Sequence, residues 1–322
     1  MITRGDKFAA ITLYHTTANL KATVDVSDRL SFHPHLPFDI SPNWEKWLGT
    51  LRSKEVLEAN LILLATLPSS NPTVLDSENQ KLEQTVTTLF FALLVLGVPS
   101  YSSINRITGA HSDGSPEVRQ VSRISDYYVC AGNTPLEVLE TEARQAKNIF
   151  DCLKLIHADP KKFVRLKRGF NAFLKAIEER QAYDRIHQFV RSLEVLIMAE
   201  PGKSKAQFRH RCQTFAVSSS HPVNEILDNF YEMRSRVEHL GDLDDVFPGL
   251  NESERDKLAH YRVRQVEAMA RHVYLQILTN SSLREHYATR ETLINFWKLK
   301  DDKRIRLWPR RFDLDSVRPE RS

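Results

Sequence analysis

The residues of this chain whose types and spacing could do chemistry together lie in one stretch, Tyr231-Glu232-Met233-Arg234-Ser235-Arg236-Val237-Glu238-His239-Leu240-Gly241. Imidazole titrates near neutral pH and can carry a proton in either direction. Guanidinium is permanently charged and holds an oxyanion through several N–H donors. Arg234 and His239 therefore offer proton transfer and stabilisation of developing negative charge. The Arg-x4-His spacing alone is uninformative, because Arg106/His111 and Arg255/His260 repeat it. Context has to separate the three pairs.

Three features favour Arg234 and His239. They close a helix that Gly241 is expected to terminate at its C′ position, where the negative end of the helix dipole favours a protonated imidazole. The preceding helix carries Glu194 inside an apolar stripe of Ile186, Phe189, Val190, Leu193 and Ile197. A carboxylate in that place needs a partner, and a facing arginine supplies one. Upstream, residues 161–191 hold nine Lys/Arg against three Asp/Glu, a local excess above the net +4 of the whole chain. On an ideal helix five residues turn so far that Arg234 and His239 sit about 140° apart. One helix does not hold both on one face, so the spacing points to a composite site at a twofold contact.

The elements that must position these residues are helical. Thr134, Pro135 and Glu137 combine an N-cap, an N1 proline and a capping-box partner. Asp159-Pro160 repeats the cap-and-proline signal before Phe163, Leu166, Phe170, Phe173, Leu174 and Ile177. Further helices are expected at 204–217, 222–240, 252–279 and 282–299. The N-terminal part is mixed. Leu20 to Ser27 alternates as a half-buried strand with 10–14 as a hairpin partner. A helix is expected over 43–67, and Asp76 caps a second, buried one. The SDGSPE turn then lies between two irregular strands. The fold class is mainly α: a mixed strand/helix region over 1–132, a helical bundle over 133–300, and a basic tail over 301–322 in which Trp308 and Phe312 stand among cations.

Composition bounds the rest. With 322 residues, 41% hydrophobic and 27% charged, the chain is a globular protein. Cys130, Cys152 and Cys212 lack metal-ribbon or disulfide spacing, which fits a reducing, cytoplasmic compartment. The longest apolar run, from Leu89 to Val98, falls short of the roughly 18–20 residues that span a bilayer. The start, MITRGDKFAA, has no apolar signal core. Dinucleotide, P-loop, zinc-protease and serine-hydrolase motifs are missing. His33-Pro34-His35 is the only close histidine pair and lacks a third ligand, so neither a metal nor another cofactor is expected.

The order RIHQFVRSLEVLIM, then FRHRCQTFAV, then ILDNFYEMRSRVEHLG resembles the HEPN superfamily (higher eukaryotes and prokaryotes nucleotide-binding) in its Apea-like branch, over roughly residues 160–280. Its most specific elements are the Leu193-Glu194 pair and the Tyr-x-x-Arg-Ser-x-x-x-His core from Tyr231 to His239. The resemblance implies a helical domain that dimerises and cleaves RNA without a metal, often as a toxin or antiviral-defence effector. Arg234 and His239 take its active-site positions, supported by Glu194. Ser235 stands where many active members carry Asn, Asp or His. The implied reaction is attack of a ribose 2′-OH on the adjacent phosphate, with His239 moving the proton and Arg234, helped by Arg236, holding the phosphate charge. Lys161, Lys162, Arg165, Lys167 and Arg168 are the candidate RNA track.

Two other readings fit the same residues. Arg234 and Glu194 can form a buried structural ion pair within a non-catalytic adaptor that docks a regulatory protein or an NTPase. Alternatively the basic face alone carries RNA binding. The N-terminal region names no ligand.

Overall fold

A computed structural model describes residues 2–14, 16, 18–98, 104–112, 114–127, 129, 138–239, 241 and 243–318. The protein is mainly α: 56% of the described residues are helical, in eleven α-helices and two 3-10 turns, beside a six-stranded antiparallel sheet. The chain divides into two compact units. One holds Met1–Ala131 and Pro135–Asp151, the other Gly132–Thr134 and Cys152–Ser322.

The first unit is built on β1 (Asp6–Leu13), buried along its whole length. It pairs with β4 (Leu61–Pro68) on one side and β5 (Asn105–Ala110) on the other. Outside these lie β3 (Leu30–His33) and β2 (Val24–Ser27) at one edge and β6 (Glu117–Arg123) at the other. Two sequence expectations are corrected here. Residues 10–14 form no hairpin with the strand that follows; β2 pairs with β3, and it begins only at Val24. The helix expected to Leu67 is α1 (Pro42–Leu57), interrupted by Gly49 at φ +77°, and LILLATLP after it is β4. That run is apolar without a polar face, as a strand covered on both sides requires.

Helices cover both faces of the sheet. Phe8 and Ala10 of β1 share a core with Val56, Trp44 and Leu48 of α1. The alternate residues face α2 (Ser77–Leu96), and Lys7 reaches across to its first turn. As expected, Asp76 caps α2: its carboxylate accepts from the Glu78 N–H at 2.8 Å, while Asn79 accepts from the Asp76 N–H. The expected turn joins β5 and β6, with a bulge at Thr108/Gly109. A Cβ at Gly109 would lie 2.2 Å from the Glu117 carbonyl oxygen, so only glycine fits.

Residues 134, 135 and 137 lie outside the described residues; the helix α3 runs from Glu140 to Ala158. The second unit centres on α5 (Ala182–Ile197), which packs against α4 (Val164–Glu178), α6 (Ser204–Cys212), α7 (Val223–Glu238) and α8 (Glu252–Thr279). The α5 stripe Ile186, Phe189, Val190, Leu193 and Ile197 is fully buried, as its spacing predicts. Phe170, Phe173 and Phe189 cluster with Tyr274 of α8, whose hydroxyl donates to the Ser192 carbonyl oxygen at 3.0 Å.

Four expectations in this unit change. Asp159 accepts from the Lys161 and Lys162 N–H groups, yet α4 starts only at Val164, after Phe163 in the left-handed region. The helix expected over 204–217 ends at Cys212, and Ala216–Val217 is instead a short strand, β7, parallel to β8 (Phe312–Asp313). The helix expected over 282–299 is split into α9 (Ser281–Glu285) and α10 (Arg290–Lys298) by the Thr289 capping box. Residues 301–318 fold as α11 (Asp301–Leu307) followed by β8 and a 3-10 turn. Trp308, only 3% exposed, packs on Phe215 and is no platform for a base.

Candidate functional site

Arg234 sits on α7 one position beyond Met233, which with Ile226 and Phe230 forms the buried side of that helix. Its guanidinium stands beside Glu194 of α5 at 3.5 Å and Glu238 of its own helix at 2.5 Å. The carboxylate inside the α5 stripe thus has the arginine partner its position demands. Both partners are about four-fifths covered, at 18% and 19% side-chain exposure. Arg234 also lies 6.0 Å from the Tyr231 ring, a cation–π contact, and its Nε is buried with no hydrogen-bond partner.

Burial pushes the Glu194 carboxyl above its usual range; Arg234 opposes that shift and Glu238 adds to it. Cys212 of α6 is buried, and its thiol is pushed well up by burial and by the Glu194 charge. That thiol is no nucleophile.

His239 is the C-cap of α7, with its N–H donating to the Ser235 and Arg236 carbonyl oxygens. Its side chain is exposed, and no hydrogen bond or ion pair joins it to Arg234. Gly241 does not sit in the left-handed region at C′; it lies two places past the cap, its N–H donating to the Arg236 carbonyl at 2.9 Å. Arg236 pairs with Asp245 at 2.8 Å, an acidic partner in the 3-10 turn after the helix. Ser235 is partly exposed, and among the described residues its hydroxyl makes no hydrogen bond.

The basic segment is less free than its charge count. Arg165 donates to the Val195 carbonyl at 3.0 Å and Lys167 to the Asp159 carbonyl at 2.8 Å. Arg185 is buried against Glu267 of α8. Lys161, Lys162 and Arg168 stay exposed.

The other two Arg-x4-His pairs are tied into local structure. Arg106 pairs with Glu83 at 3.0 Å while His111 bonds the Gly114 carbonyl; Arg255 pairs with Asp244 while His260 bonds the Asp256 carbonyl. His33 is a buried strand residue between Thr23 and Ser31, its pKa lowered to about 4 chiefly by burial. The first unit has a cleft of 410 Å³ lined by Gln80, Glu83, Gln84, Thr87, Phe91 and Arg106, among which no histidine stands.

One residue of the site is absent from the sequence reading. His187 of α5 lies on the same side of the helix as Arg191 and Glu194, and its ring Nδ1 is buried without a hydrogen-bond partner. The polar residues at 187, 191 and 194, which share one side of the helix beside its apolar stripe, are the signal that could have found it. The arrangement as a whole offers one guanidinium with unused donor capacity, two carboxylates, a sheltered imidazole and an exposed one. No family model, curated protein or solved structure matches this chain.

Proposed function

We propose that this protein is a HEPN-type endoribonuclease that cleaves RNA without a metal, at a site completed by a second copy of the chain, and that it acts as a toxin or antiviral-defence effector. The observation that carries the reading is Arg234: a largely covered guanidinium, oriented by Glu194 from the neighbouring helix, with its Nε unpaired. That pairing is the one a carboxylate inside the α5 apolar stripe demands, and it sets the Leu193-Glu194 pair beside the Arg-x4-His core that carries the resemblance.

The ribose 2′-OH attacks the adjacent phosphate, which makes the reaction selective for RNA over DNA. Arg234 holds the added charge on the pentacoordinate phosphate. His239, exposed at the end of α7, exchanges protons with the reacting oxygens. Since helical spacing sets Arg234 and His239 of one chain about 140° apart, the site pairs residues across a twofold axis. Arg234→Ala and His239→Ala are each expected to abolish cleavage while RNA binding persists. Cleavage by either variant at the wild-type rate contradicts the assignment.

A second reading has its own support. Arg234 already faces two carboxylates, and that surplus of negative charge disfavours a phosphate. A non-catalytic adaptor that docks a protein partner fits this arrangement. A dimeric wild type that binds no RNA and cleaves none selects the adaptor.

A further inference from the structure

The C-terminal end of α5 begins at the residue after Glu194, and its carbonyl oxygens, which a helix leaves unpaired, all have side-chain donors. Arg165 of α4 donates to the Val195 oxygen at 3.0 Å and Trp297 of α10 to the Leu196 oxygen at 3.0 Å. Arg211 of α6 donates to the Ile197 and Met198 oxygens at 2.6 and 2.9 Å. The Phe163 N–H donates to the Ala288 carbonyl at 2.7 Å, which ties the start of α4 to the approach to α10. Arg304 of α11 lies over the Trp297 ring at 5.4 Å and donates to the Trp297 carbonyl at 3.3 Å. Thus α4, α10 and α11 are joined around the C-terminal end of α5.

These joined elements carry Arg168, Arg290, Lys298, Lys300, Lys303 and Arg306, all exposed, and among the described residues none of the six has an ion pair. Residues 290–311 hold eight Lys/Arg against three Asp/Glu, a local excess above the net +4 of the whole chain. One of those acids, Asp301, is already held by Arg304 and His210. On α6, by contrast, Lys205 pairs with Glu232 at 2.5 Å and Arg209 with Asp228 at 3.0 Å. Like charges held together without counter-charges repel, and a polyanion laid across them removes the repulsion. Arg304 and Trp308, 4% and 3% exposed, anchor α11 from beneath, so its cations stand on a fixed surface. Ile305 and Leu307 are the only apolar residues α11 exposes, short of the broad apolar face with which a helix enters a lipid surface. The charge therefore fits a nucleic-acid backbone better than a membrane.

Resting on the ribonuclease reading above, we propose that the RNA backbone lies across α4, α10 and α11 and reaches Arg234 past the C-terminal end of α5. The six cations take phosphates, which position a strand without reading its sequence. This face sets affinity, and Arg234 and His239 act on the strand it delivers.

The test is fluorescence anisotropy of a labelled, uncleavable 2′-O-methyl RNA with the full chain, between about 50 and about 300 mM salt. The combined variant Lys300→Ala, Lys303→Ala, Arg306→Ala is expected to bind about tenfold more weakly or worse. Its plot of log affinity against log salt is expected to be shallower by about 2, since each phosphate contact on a single strand contributes about 0.7. In cleavage assays KM rises and kcat stays. Lys205→Ala with Arg209→Ala, which removes paired cations, is expected to keep affinity and slope. Unchanged affinity and slope in the triple variant, or an equal loss in the paired-cation control, overturns the proposal while cleavage by the wild type keeps the ribonuclease reading. If the wild type neither binds nor cleaves RNA, both fall; binding of phosphatidylserine vesicles in its place assigns the face to a membrane. Should the triple variant fail to fold, Arg168→Ala with Arg290→Ala decides, with an expected slope change of about 1.4.

Discussion

Arg234 is the residue on which the helix pair α5/α7 turns, because it is the cation between Glu194 and Glu238. Removing it leaves two carboxylates facing each other, one of them largely covered. Arg234→Ala is expected to cost about 2 kcal/mol, below the range for fully buried pairs. Glu194→Gln removes a desolvated charge along with its partner interaction, and is expected to change stability by less than about 1 kcal/mol. The pH dependence has a definite sign. Glu194 has a folded pKa raised above 4.5, so its ionised form weighs against the fold increasingly as pH rises through that folded value. The Arg234→Ala deficit is therefore largest near pH 7 and shrinks on acidification towards 5; urea midpoints at the two pH values check this, and a deficit growing on acidification contradicts it. The Glu194–Arg234 pairing was legible in the sequence, since a carboxylate inside an apolar stripe must find a cation. His187 was not, because one polar residue two turns earlier looks like any solvated position until its ring Nδ1 is found buried.

At the scale of elements, packing decided what local pattern left open. Leu61–Pro68 is rich in leucine, a good helix former, and its neighbours β1 and β3 make it a strand by supplying ladder partners on both edges. The stripes of α4 and α5 were readable because each has one apolar face at helical period. The junction of α4, α5 and α8 depends on Gly169: a Cβ there would stand 2.4 Å from the Tyr274 hydroxyl and 3.0 Å from the Ser192 carbonyl oxygen. Gly169→Ala is expected to lower stability by about 1–3 kcal/mol despite its better helix propensity. A thermal midpoint equal to or above that of the wild type contradicts this packing. The C-terminal segment is clasped by Asp315, whose carboxylate accepts from the Ser219 and Ser220 N–H groups and from the hydroxyls of Ser218, Ser219 and Ser220. Burial works against its charge, but these hydrogen bonds hold the carboxyl far below 3.8. A depressed folded pKa contributes stability above 3.8 that is lost as pH falls below it. Asp315→Asn is thus expected to cost about 1–2 kcal/mol at pH 7, with a gap that narrows in acid. A gap that widens in acid contradicts the clasp.

At the scale of the whole molecule, the candidate chemistry lies entirely in the second unit, and the first contributes a sheet covered by helices on both faces. No described helix is long and apolar enough to cross a membrane. Because helical spacing sets Arg234 and His239 of one chain about 140° apart, activity per chain is expected to fall on dilution below the dimer dissociation constant; a rate strictly proportional to concentration through dissociation contradicts a shared site. The central claim is metal-free cleavage of RNA by its own 2′-OH, and the ends of the products test it most directly. Purified protein incubated with mixed RNA in EDTA is expected to leave 2′,3′-cyclic phosphates opposite 5′-hydroxyls. Intact RNA, or fragments bearing 5′-phosphates that form only when a divalent metal is supplied, would contradict it.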